Sequence, residues 1–171
     1  MAIINGVHVP GINRVAILRD VKANNTSGGN AAATYSARIL NTLEDPTGIV
    51  LNPGAFTGTG GTNTDVQLGN GAYIIEARLS MQSNAVPSFR ARARLQNTTD
   101  ASTTILGANI DAGTLSAEMP CTVIGTFTVT GGPKTFQLQQ RANSAVTDGY
   151  GFPCNFGDLE QYSYVTIRKI A

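Results

Sequence analysis

The chain has 171 residues, of which only 13% are charged and 42% apolar, and its formal net charge is +1. That length suits one packed domain, and so slight a charge excludes a protein whose main work is neutralising phosphate, so no nucleic-acid partner is expected. The 19 glycines and a polar remainder of Thr, Asn, Ser and Gln favour strands and turns over long helices.

Residues 1–13, MAIINGVHVPGIN, stand apart. Ile3, Ile4, Val7, Val9 and Ile12 are too few, and too broken by Gly6, Pro10 and Gly11, to make a core element, so the segment is expected to be an extended arm. It lacks a basic leader and a continuous apolar stretch, which argues against a signal peptide. No run approaches about 18 apolar residues, so no membrane span is expected and the product should be made in the cytoplasm. An exposed apolar arm is a liability unless another surface covers it.

A single domain is expected over 14–171. Strands are expected at 14–22, 35–40, 49–56 and 64–68, separated by the turn-rich stretches NNTSGGN (24–30), EDPTG (44–48) and GTGGTN (58–63). Residues 30–36 could form a helical turn or two but carry no stripe of period 3.6. In YIIEARLSM (73–81), Tyr73, Ile75, Ala77, Leu79 and Met81 alternate with Ile74, Glu76, Arg78 and Ser80. FRARARLQNTT (89–99) repeats the pattern, with Phe89, Ala91, Ala93 and Leu95 on one face and Arg90, Arg92, Arg94 and Gln96 on the other. The two runs look like neighbouring strands joined by a turn at 84–88 that contains Pro87. Further strands follow at 103–110, 122–130, 134–142 and 161–170, with GGP (131–133) as a tight turn. About ten short strands so punctuated indicate an antiparallel sandwich or barrel.

The segments LRDVKANNTSGGN (18–30), ARILNT (37–42), GAYIIEARLSM (71–81), RARLQNTTD (92–100), FTVTGGPKTFQLQQR (127–141) and YSYVTIRKI (162–170) give the chain its family likeness. Their order and spacing resemble a jelly-roll domain of the tumour-necrosis-factor and complement-head type, common in tailed-phage structural proteins. The resemblance implies an all-β, two-sheet antiparallel jelly roll of about ten strands that assembles as a homotrimer. It also implies that the closing strand lies near the threefold axis, with Val165 and Ile167 in the protomer core and Tyr162, Tyr164 and Thr166 toward the trimer interior. Family members serve as capsid decoration proteins, head fibres, tail fibres and receptor-binding tips. Tail-fibre members carry the domain behind a long shaft, whereas here only the arm precedes it. The resemblance therefore implies a small virion protein on the capsid surface, a decoration or cement protein gripping the major capsid protein through the arm residues Ile3, Ile4, Val7, Val9 and Ile12. The alternative is a head-fibre or tail-tip module that binds a receptor or a host surface glycan.

Candidate chemistry is sparse. The one histidine, His8, lies in the arm, where it is poorly held for proton transfer. HExxH, CxxC, P-loop and dinucleotide-binding patterns are missing, so neither an enzyme nor a bound cofactor is expected. Cys121 and Cys154 fit no zinc or redox spacing, and in a cytosolic product they read as free thiols. Asp45, Asp65, Asp100, Asp111, Asp148 and Asp158 fall in or near loops, where they serve as turn residues or could supply a calcium site. Arg90, Arg92 and Arg94 set three like charges on one strand face. Either carboxylates such as Glu76 and those of neighbouring strands or subunits answer them, or an anionic ligand does. Tyr150 and Phe152 are the aromatics expected at the surface for sugar stacking.

Overall fold

Alternation with period two recurs along the sequence, and nearly every stretch that shows it forms a strand. A computed structural model describes residues 14–84, 89–112 and 118–171, together with the backbone of 2–4 and 7–9. In the arm, β1 (Ala2–Ile4) and β2 (Val7–Val9) pair as an antiparallel ribbon. The side chains of Ile3, Ile4, Val7, His8 and Val9, all of Ile12, and the turn around Pro87 lie outside the described residues.

The domain follows with β3 (Arg14–Lys22), β4 (Ser36–Ala37), β5 (Thr42–Glu44), β6 (Asp65–Leu68), β7 (Gly71–Leu79) and β8 (Phe89–Asn97). It ends with β9 (Ser102–Ala112), β10 (Cys121–Val129), β11 (Lys134–Ala142) and β12 (Glu160–Lys169). One antiparallel sheet runs in the order β10, β7, β12, β3, β5. In the other, β9 flanks β8, β8 flanks β11, and both β4 and β6 pair with the far side of β11. The fold is an all-β jelly roll of two five-stranded sheets. Among the described residues no helix is long and apolar enough to cross a membrane.

The inward parities meet between the sheets. Leu18, Ile75, Leu79, Val165 and Ile167 from the first sheet pack with Phe89, Leu95, Phe136, Leu138 and Leu68 from the second. Tyr73, Phe127 and Phe136 form an aromatic column with ring centroids 5.4 and 5.2 Å apart. Burial of one such side chain stabilises by about 1.5–3 kcal/mol.

Three expectations are corrected. Strands β7 and β8 are not neighbours; they belong to opposite sheets. Alternation assigns a strand two faces but does not say whether the next strand pairs beside it or packs opposite. No strand forms over 49–56: Val50 makes a single bridge to Leu68, and a 3-10 turn occupies Pro53–Ala55. The Asn52 side chain takes the place of a ladder there, donating to Asp65 O at 3.0 Å and accepting from Gln67 N at 2.8 Å. Instead of a strand over 35–40, only Ser36–Ala37 pairs in β4 before the chain crosses sheets, Arg38 N reaching Leu138 O in one sheet and Asn41 N reaching Arg19 O in the other. The 30–36 stretch holds no helix; Ala31 bridges Val146.

Candidate assembly face and outer-sheet cleft

The outward parity of the first sheet mixes apolar and charged side chains. Thr122, Arg78, Tyr164 and Arg19 stand in one cross-strand row, and Ile124, Glu76, Thr166 and Ile17 in the next. Ile124 is 63% exposed and Tyr164 38%, while Ile17, Ile74 and Val15 are half-buried. Arg19 lies 5.6 Å from the Tyr164 ring centroid and also pairs with Glu44 at 2.5 Å, which draws the Glu44 carboxyl below its ordinary value.

The closing strand divides as expected from Tyr164 onward: Val165 and Ile167 are buried in the protomer, and Tyr164 and Thr166 face outward. Tyr162 does not join them. The register of β12 against β3 shifts between Gln161 and Ser163, and this bulge reverses parity, so Tyr162 turns inward and is 4% exposed. Its hydroxyl donates to Thr26 O at 2.7 Å, and burial raises its pKa.

Behind the bulge lies a polar cluster sealed between the sheets. Arg38 and Asp20 are each about 1% exposed and approach to 3.7 Å, while Lys22 reaches the other carboxylate oxygen at 3.3 Å. Arg38 also donates to Ser80 O at 3.2 Å and Ser163 Oγ at 3.3 Å, and its guanidinium covers the Tyr150 ring at 4.0 Å. Burial lowers the Arg38 pKa to about 10 against the opposing pull of Asp20. Burial raises that of Asp20, with Lys22 and Arg38 opposing. The Tyr150 hydroxyl meets Ser36 Oγ, so this tyrosine, expected at the surface, is buried instead. Besides Tyr164, the exposed aromatics among the described residues are Phe152 at 39% and Phe156 at 84%.

Two loops converge at this end. Gly28 N donates to Gly151 O, Tyr150 N to Gly29 O, and Asn24 bonds Asn155. A Cβ on Gly28 would strike Tyr150 O, which is why NNTSGGN packs tightly rather than standing free. Glu160 accepts from the backbone N–H of Cys154 and Asn155, each at 2.9 Å, and of Asn25 at 3.3 Å. These three bonds lower its pKa, those of Asn155 and Cys154 most.

On the second sheet the arginine row is joined by Arg141, which stands opposite Arg92. Arg90 pairs with Asp111 at 3.2 Å, Arg94 donates to Gln139 at 2.9 and 2.7 Å, and Arg92 donates to the Tyr35 hydroxyl at 3.2 Å. The Tyr35 ring lies 3.9 Å from the Arg94 guanidinium and 5.6 Å from that of Arg141. Glu76, the expected partner, is on the other sheet and pairs with Arg78 at 3.7 Å. Beside the row opens a cleft of about 440 Å³ lined by Arg90, Arg92, Asn109, Asp111, Arg141 and Asn143. Arg141, Asn109 and Asn143 escaped the sequence reading, although the outward parity of Gln137, Gln139 and Arg141 in QLQQR (137–141) was there to be read.

Among the described residues no three metal-ligating side chains gather. Asp45, Asp65, Asp100 and Asp111 are engaged by Val50 N, Gln137, Lys134 and Arg90, and Asp148 takes a left-handed turn at φ 53°. Both cysteines are free, Cys121 buried and Cys154 exposed.

No protein-family model matches the sequence, and no curated protein matches it. Among solved structures it is similar to murine APRIL crystallised at pH 8.0, with 13% identity over 92% of this chain and 98% of that one and a TM-score of 0.51. A second crystal structure of murine APRIL, at pH 8.5, gives a TM-score of 0.46 at the same identity and coverage. At such identity the likeness is one of fold, and the chain has the tumour-necrosis-factor-like jelly-roll fold.

Proposed function

We propose that this protein is a homotrimeric decoration or cement protein of a phage capsid, held to the major capsid protein by residues 1–13, and that it performs no catalysis. The observation that carries the self-association is the outward face of the first sheet. There Ile124 and Tyr164 are exposed among half-buried Ile17, Ile74 and Val15, an apolar surface that packing against a second copy would cover. The tumour-necrosis-factor-like fold and the family resemblance of the segments above support three copies about an axis near β12. Binding to the assembled shell, and not to free capsomers, would stabilise the shell by mass action.

Light scattering on the purified chain should give three times the protomer mass, and Tyr164→Asp with Ile124→Asp should give the protomer mass with the fold retained. Deleting residues 1–13 should release the protein from heads while the trimer persists. A monomeric wild type, or unchanged occupancy of heads by the truncated chain, would refute the corresponding half of the proposal. Hundreds of copies per virion on the head fit this reading; a few copies at the tail would transfer the case to a receptor-binding tip.

A further inference from the structure

The outward side chains of Arg92 and Arg141 stand opposite each other on paired strands, an arrangement that destabilises a sheet when nothing answers the charges. No ion pair among the described residues includes either one. What they share is Tyr35, through its hydroxyl for Arg92 and its ring for Arg141. A tyrosine attracts cations weakly but does not neutralise them, so two guanidinium charges remain beside the cleft. Its volume of about 440 Å³ falls within the range of small-ligand sites.

We infer that this cleft binds an acidic saccharide, with one anionic group of a sugar bridging Arg92 and Arg141. Paired guanidinium groups present the planar donors that suit a carboxylate or sulfate oxygen pair. The remaining lining selects within the anions. Asp111, held by Arg90 at 3.2 Å, brings a carboxylate that repels a densely charged polyanion or an acidic peptide. The same carboxylate accepts hydrogen bonds from sugar hydroxyls, and the Asn109 amide can donate and accept. Half-buried Ile110 borders the cleft as its one apolar side chain outside the buried core, for the face of a ring. A sugar acid carries one anion and several hydroxyls and so uses every group present. The site belongs to the protomer and does not depend on the capsid reading.

The full-length chain, labelled with ¹⁵N, is titrated with sodium glucuronate, glucose, inorganic phosphate and a tetraglutamate peptide. Glucuronate should shift the backbone amides of Arg92, Asn109 and Arg141 saturably, and phosphate and tetraglutamate should bind about tenfold more weakly, or worse. Glucose should leave them unmoved. Arg141→Ala should weaken glucuronate about tenfold or more, and Asn109→Asp, which alters an exposed side chain without touching the core, should do the same. Arg78→Ala, on the opposite sheet, should bind as the wild type does. The inference is overturned if glucuronate gives no saturable shift up to about 50 mM. Phosphate or the peptide binding as tightly as glucuronate, or undiminished affinity in a folded Arg141→Ala or Asn109→Asp chain, would overturn it equally.

Discussion

Replacing Arg38 by methionine isolates the buried polar cluster. The side chain is about 1% exposed, so the substitution keeps the volume of the stem and removes the charge, two hydrogen bonds at 3.2 and 3.3 Å, and the contact with Tyr150 at 4.0 Å. It also leaves Asp20 buried, with neither carboxylate oxygen hydrogen-bonded and only Lys22 at 3.3 Å to answer it. Breaking one side of a buried ion pair costs about 3–5 kcal/mol. For a domain of this size each kcal/mol lowers Tm by about 2–4 °C, so the drop should lie between about 6 and 20 °C. A thermal melt measures the drop and urea unfolding the free-energy loss, both at one fixed protein concentration, because self-association would make either midpoint concentration-dependent. The double variant Asp20→Asn with Arg38→Met should recover at least half of the loss, since no carboxylate then remains to be buried unpaired. A single-variant loss below about 1 kcal/mol, or no recovery in the double variant, would refute the account of Arg38 as the counter-charge that makes Asp20 tolerable inside the sandwich.

Glu160, whose folded pKa lies below its ordinary 4.5, contributes stability that is present above that value and lost as pH falls through the folded one. Glu160→Gln should therefore flatten the acid limb of a Tm-against-pH curve, and an unchanged limb would count against the three-bond cradle. Gly107→Ala should destabilise by about 1–3 kcal/mol, because its Cβ would strike Thr122 O where β9 and β10 pass closely, and a thermal melt reads this directly. Native protein should react with a thiol reagent at one cysteine per chain, the exposed Cys154, with Cys121 reacting only on unfolding, since burial both covers its thiol and raises its pKa. Fast labelling of both thiols in the native state would contradict that burial.

The strands at 14–22 and 134–142 were legible to the residue, because the first is a Val-, Ile- and Leu-rich run and the second alternates Phe136 and Leu138 with Gln137 and Gln139, and turn signals adjoin both. The core positions of Val165 and Ile167 came instead from the family resemblance, and both side chains are buried. Which strands lie side by side was not legible: β7 and β8 share one pattern whether they pair or face each other, and the long-range hydrogen bonds of β7 to β10 and β12 decided it. Tyr162 failed for a related reason. One bulge inserts a residue and reverses every parity beyond it, and no feature of YSYVTI marks where the partner strand slips. The three arginines of β8 were visible as a row, yet the cleft exists only because β9 and β11 bring Asn109, Asp111, Arg141 and Asn143 beside them. Sequence by itself determined the long strands and most of their buried faces, since those depend on neighbours one or two residues away, but not the short β4, the 49–56 segment or the face of Tyr162. Tertiary structure alone decided partners, the sealed Asp20–Arg38 pair and the cleft, since those depend on which distant backbones the two sheets bring into contact.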